Sequence, residues 1–183
     1  MKNYRRTAGL STLALLLAGY YTMPSTVKAA ETGDSARITE LFADAKAEAV
    51  ELKLDSADME QFTYSNMTYV SYATKVAMIK GHVNNTGKLL AKMKEAEATG
   101  SPWQQTAIKR IEPLLMELAE STTATIEYLN ANQQKVHFPE FKDYVRANYE
   151  IAVDLEALIR DFVNYGESKE RFERLGEKLE LNS

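Results

Sequence analysis

The run Tyr69-Val70-Ser71-Tyr72-Ala73-Thr74-Lys75-Val76-Ala77-Met78-Ile79-Lys80-Gly81-His82-Val83 decides the fold. Its apolar side chains recur at alternating steps of three and four, and the pattern continues through Thr86, Leu90 and Met93. Of these stripe positions only Thr86 is neither apolar nor aromatic. Such spacing is the signature of a helix that buries one face, and it predicts a helix over about 66 to 98.

Immediately downstream, Gly100-Ser101-Pro102-Trp103-Gln104 reads as a tight junction between two helices. Gly100 is expected to close the first in the left-handed conformation. Ser101 and Gln104 form a Ser-x-x-Gln capping box, with Pro102 in the first turn of the next helix. That helix, about 102 to 132, carries Ile108, Ile111, Leu115, Leu118, Thr122, Thr125 and Leu129 inward, and Pro113 lies inside it, where a bend is expected. A further helix is expected from Pro139 to about Tyr165, with Phe141, Tyr144, Asn148, Ile151, Leu155, Leu158, Phe162 and Tyr165 on its inner face.

Upstream, Ile38, Phe42, Ala45, Ala49 and Leu52 predict a first helix over about 35 to 53, capped by Asp34 or Ser35, with a short helical segment from Ser56 to Phe62 after it. Gly166 reads as a break, followed by a last short helix over about 168 to 181 with Phe172, Leu175 and Leu179 inward. No run of strict alternation suggests a strand. The expected fold is all-α, an up-down antiparallel four-helix-type bundle with a short extra C-terminal helix.

The first residues differ in kind. Lys2, Arg5 and Arg6 precede the apolar stretch from Ala8 to Tyr21, and no acid occurs before Glu31. A basic segment, an apolar segment and small residues at Val27-Lys28-Ala29 make a secretory leader, residues 1–29, cut between Ala29 and Ala30. At roughly 14 residues the apolar stretch falls short of the about 20 needed to span a bilayer, so no stable membrane anchor is expected. General secretion is favoured over the twin-arginine route because Thr7-Ala8-Gly9 after the arginine pair is not bulky and apolar. The remaining chain, 30–183, reads as one domain in the periplasm or outside the cell.

Removing the leader takes away four cations and no acid, leaving 18 basic against 26 acidic residues and a net charge of −8. An acidic surface disfavours nucleic acid and anionic membranes as partners. Without cysteine there is no lipoprotein thiol, disulfide or thiolate metal site.

The helices offer little chemistry. The two histidines are His82, at the flank of its stripe, and His137, in a loop. The fourth helix has neither His nor Met to complete a haem axial pair, and no Glu-x-x-His occurs for a di-metal centre. Glu117, Glu120, Asp154, Glu156 and Asp161 alternate with bases as a solvated face does. No cofactor, metal site or catalytic residue is therefore expected. The remaining candidate is an inner polar layer of Tyr72, Thr122, Thr125 and Asn148, with Met78 nearby. It would either fix the bundle's register, a known use of a core Asn, or form a small pocket for a ligand.

Ser101-Pro102-Trp103-Gln104-Gln105 and Leu158-Ile159-Arg160-Asp161-Phe162-Val163-Asn164-Tyr165-Gly166 resemble a group of uncharacterised exported bacterial proteins over most of the mature chain. The resemblance implies no activity. In outline the architecture is similar to cytochrome b562-like bundles, whose axial ligand positions have no match here. The expected role is non-enzymatic, through binding to an envelope partner or ligand, with a small-ligand, haem or metal binder as the alternative. The oligomeric state is open, with Leu89, Leu114 and Tyr128 either a spare stripe or a widening of the core.

If Leu155 is a core position, Leu155→Ala costs about 2 to 5 kcal/mol. An unfolding midpoint equal to that of the parent protein would overturn this register.

Overall fold

A computed structural model of the protein describes residues 33–65 and 67–181. The leader and the cut between Ala29 and Ala30 lie outside the described residues. Four helices follow one another: α1 (Gly33–Phe62), α2 (Tyr69–Glu95), α3 (Pro102–Ala131) and α4 (Pro139–Lys178). Each packs beside its chain neighbour, and α4 closes the ring against α1, while α1 and α3 face each other across the diagonal. The all-α bundle is thus observed, with no strand among the described residues.

The stripes meet along the axis. Ile38, Phe42, Ala49 and Leu52 of α1 are buried against Tyr72, Ile79 and Met93 of α2. From the other side come Ile108, Ile111 and Leu118 of α3 and Phe141, Val145, Leu155 and Ile159 of α4. Leu89, Leu114 and Tyr128 are half-buried against this core and widen it.

Helix boundaries differ from the sequence expectation at three places, each for a local reason. The expected break after residue 53 is absent, and α1 runs on to Phe62. Ser56 does not cap a new helix. Its Oγ donates to the Leu52 carbonyl at 2.8 Å, one turn back, a bond that leaves the helical backbone intact. Met59, 1 % exposed, carries the buried stripe onward.

At the α2–α3 junction Gly100 is extended (φ −69°, ψ 154°) rather than left-handed, and the chain leaves α2 through a 3-10 turn at Glu97–Thr99. Space explains the glycine here, since a Cβ would lie 3.0 Å from Ile38 Cδ1 and 3.2 Å from the Glu97 carbonyl. Half of the capping box is made: Gln104 Oε1 accepts from the Ser101 amide at 2.8 Å. Ser101 takes up the capping-box arrangement without completing a hydrogen bond from its own Oγ, which is buried and without a partner.

Gly166 is the third correction. It does not end a helix, so there is no separate C-terminal helix, and α4 continues unbroken to Lys178. The Trp103 ring packs closely against Gly166, where a Cβ would be 2.7 Å from Cζ2 and 2.8 Å from Cη2. A missing side chain here admits a neighbour's large one. Because α3 starts beside this glycine, the last twelve residues of α4 run past the end of α3. Tyr165, Phe172, Leu175 and Leu179, expected inward, are all exposed.

The glycines should therefore answer substitution with opposite signs. Gly166→Ala forces the indole aside and should cost about 1 to 3 kcal/mol with a shift in Trp103 emission. At Gly81 and Gly87 in α2 an added Cβ meets nothing within 4 Å. Alanine at either should raise stability by about 0.5 to 1 kcal/mol through backbone entropy. Paired chemical denaturation curves measure all three.

Candidate functional site

Three of the four residues of the expected polar layer come together, between α3 and α4. The Thr122 hydroxyl donates to Asn148 Oδ1 at 2.7 Å. Asn148 Nδ2 donates to Thr125 Oγ1 at 2.6 Å, with the Tyr144 carbonyl at 3.0 Å and Ser121 Oγ at 3.1 Å. Thr125 passes its own proton to the Ser121 carbonyl at 2.8 Å. Both polar atoms of the Asn148 amide are engaged by their neighbours, as buried polar groups require.

Tyr72 does not join this cluster. Its hydroxyl is buried without a hydrogen-bond partner, and its ring stands edge-on to Phe141 (4.9 Å) and Phe62 (6.0 Å). Burial pushes its phenol pKa above the usual 10.0, because a phenolate there would lose its hydration. Met78 points into solvent.

Sequence reasoning missed the charged groups at the helix seams. Glu156, expected on a solvated face, is only 4 % exposed. Lys53 of α1 reaches one carboxylate oxygen at 2.8 Å, and Arg160, one turn along α4, donates to both oxygens at 3.1 and 3.0 Å. Two cations offset the desolvation of this carboxylate. The spacing Glu-x-x-x-Arg beside core residues Leu155 and Ile159 was the readable signal.

At the α1–α2 seam, His82 lies between two carboxylates of α1. Its Nδ1 is 2.7 Å from Glu48 Oε2 and its Nε2 is 3.4 Å from Asp55 Oδ2. Lys75 bridges Asp55 and Asp58, at 2.9 Å from each, and these hydrogen bonds, Asp58 first, raise its pKa above the usual 10.5. Since a raised pKa means the folded state holds the proton more tightly, this stabilisation is present through neutral pH and is lost only above the ordinary lysine range. With both ring nitrogens turned to carboxylates, His82 is a clasp between helices. His137 is exposed. Among the described residues no group of three His, Cys, Asp or Glu side chains is placed to hold a metal ion.

One surface feature is built differently. The first turns of α3 and the stretch of α4 before Gly166 border a shallow groove of about 450 Å³, lined by Pro102, Trp103, Thr106, Arg110, Leu158, Asp161, Phe162 and Tyr165. Trp103 is held from behind by Phe42 (5.6 Å between ring centroids) and meets Tyr165 edge-on at 6.1 Å. The Arg110 guanidinium lies 5.4 Å from the Phe162 ring centroid, a cation–π contact that orients the side chain over the groove. Among the described residues Arg110 has no acidic partner. The groove thus combines aromatic walls with an unpaired, oriented cation.

No family model, no curated protein and no solved structure matches the chain.

Replacing Asn148 by Leu would leave the buried Thr122 hydroxyl without its acceptor. We expect Asn148→Leu to lower stability by about 1 to 3 kcal/mol, measured by chemical denaturation. A rise in stability would show that the cluster is retained at a cost for another purpose.

Proposed function

We propose that the protein is an exported, non-enzymatic helical bundle that acts by binding, and that the groove between α3 and α4 makes the contact. The observation that carries this reading is the oriented Arg110 over aromatic walls. A surface kept only for solubility gains nothing from clustering Trp103, Phe162 and Tyr165 around a cation. The groove suits an apolar or aromatic group that bears a carboxylate or phosphate, as a peptide side chain or terminus does. Arg110 would meet the anion with its planar fork, while the rings cover the apolar part.

Export rests on the basic and apolar segments before residue 22 and on the small residues at Val27 and Ala29. The partner sought is therefore one of the envelope or of the medium. For a haem or metal the bundle offers no favouring observation, since His82 is engaged on both sides by Glu48 and Asp55.

A photoreactive phenylalanine derivative at Thr106, in the groove wall, tests the reading in cells that make the protein. Irradiation should give a discrete adduct that Arg110→Ala abolishes. Adducts no stronger than those from the same group at Met116, an exposed site elsewhere on α3, would overturn the proposal.

A further inference from the structure

The groove between α3 and α4 has two unlike ends. Trp103 and Arg110 are seven residues apart on α3, so they share a face and stand two turns, about 10 Å, from each other at 1.5 Å per residue. At one end Trp103 and Tyr165 make an aromatic corner, edge-on with 6.1 Å between ring centroids. At the other, Arg110 crosses from α3 to the Phe162 ring of α4. Among the described residues Arg110 is the only cation lining the groove. The lining carboxylate, Asp161, lies 3.6 Å from the Arg160 guanidinium, so the charge left unmatched is that of Arg110.

Resting on the reading of this groove as the contact site, we propose that its occupant is the free C-terminus of a polypeptide chain. The terminal carboxylate sits on Arg110, and an apolar or aromatic side chain, third from the end, fills the corner of Trp103 and Tyr165. Spacing selects a peptide. In a single aromatic amino acid only a few bonds separate ring from carboxylate, too few to reach both ends, whereas an extended chain advances about 3.4 Å per residue and covers the groove with three. Charge selects a carboxylate. One guanidinium fork matches one carboxylate in a bidentate pair, while a phosphoryl group brings nearly two charges and three oxygens to a groove without a second cation. Because Arg110 spans from one helix to the other, a chain lying in the groove ends there rather than passing through. Side chains of an extended chain point to opposite sides in turn, so the last and third-from-last face the walls and the penultimate one faces water.

Trp103 is the only tryptophan of the chain, so its emission reports on the groove directly. The chain beginning at Ala30, which contains every described helix, is titrated with N-acetylated hexapeptides of serine and glycine that carry one phenylalanine. With phenylalanine third from a free C-terminus, the peptide should shift the emission along a saturating curve. Amidating that terminus, or moving the phenylalanine to the penultimate position, should weaken binding about 10-fold or more. Arg110→Ala should bind the acid and the amide alike, and because Arg110 is exposed its thermal melt should match that of the parent. Four results overturn the proposal: no binding of any peptide, equal binding of acid and amide by the parent, tighter binding of phenyl phosphate, and equal binding of an amidated peptide with aspartate as its last residue. If the peptides fail while the photoadduct from Thr106 still depends on Arg110, the groove stands as the contact site and the occupant is another. If both fail, the site itself falls.

Discussion

The side-chain amide of Gln104 is completely buried, and three of its four hydrogen bonds cross the bundle's diagonal. Its Oε1 accepts from the Ser101 amide at 2.8 Å and from Ser35 Oγ at 2.9 Å. Its Nε2 donates to the Ser35 carbonyl at 2.9 Å and to Thr39 Oγ1 at 3.0 Å. Helices that do not adjoin are thus tied at their first turns, and one residue sets the relative height of α1 and α3. That height puts Trp103 between Phe42 and Gly166. The aromatic groove and the length of α4 left uncovered both follow from it. An unsatisfied amide at this depth would be expensive, so the geometry tolerates little slippage.

Charge is handled by the same rule of full partnership. Glu156 is buried with two cations on it, and the half-buried Lys75 meets two carboxylates. Such pairs contribute little net stability compared with an apolar replacement. They do discriminate, because a bundle shifted by one turn would leave a desolvated charge alone. The polar cluster around Asn148 does likewise for α3 and α4 with uncharged groups. Three of the four seams therefore have their own register device, while the apolar stripes, which repeat, could pack in more than one alignment.

How much of this the sequence disclosed depended on whether the cause lay within one helix. The period running from Tyr69 to Met93 has no reading but a buried helix face, and the inward positions of Thr122, Thr125 and Asn148 followed from the same count. Gly166 misled because glycine is common both at helix ends and at close contacts, and only the position of Trp103 separates the two. Ser56 misled because its hydroxyl could serve a cap or the preceding carbonyl equally well. Glu156 looked solvated because its partner Lys53 is 103 residues away in sequence. Phe172, Leu175 and Leu179 have the period of a core stripe, yet α3 begins too late to cover them. The groove could not be read ahead, as it needs Trp103 and Phe162 brought side by side.

The seams also differ in kind, and that difference ranks the helices by ease of opening. α1 is joined to α2 and α4 by its buried apolar face and, at the seam edges, by the charged pairs of Lys75 and Lys53. α3 and α4 are locked by uncharged hydrogen bonds and by the rings of Tyr128, Phe141 and Tyr144. Excursions from the native state should therefore begin at the seam between α2 and α3, where the helices pack least extensively. A bundle that parts there would open like a book, with the α1–α4 seam as its spine and the polar cluster of Asn148 still closed.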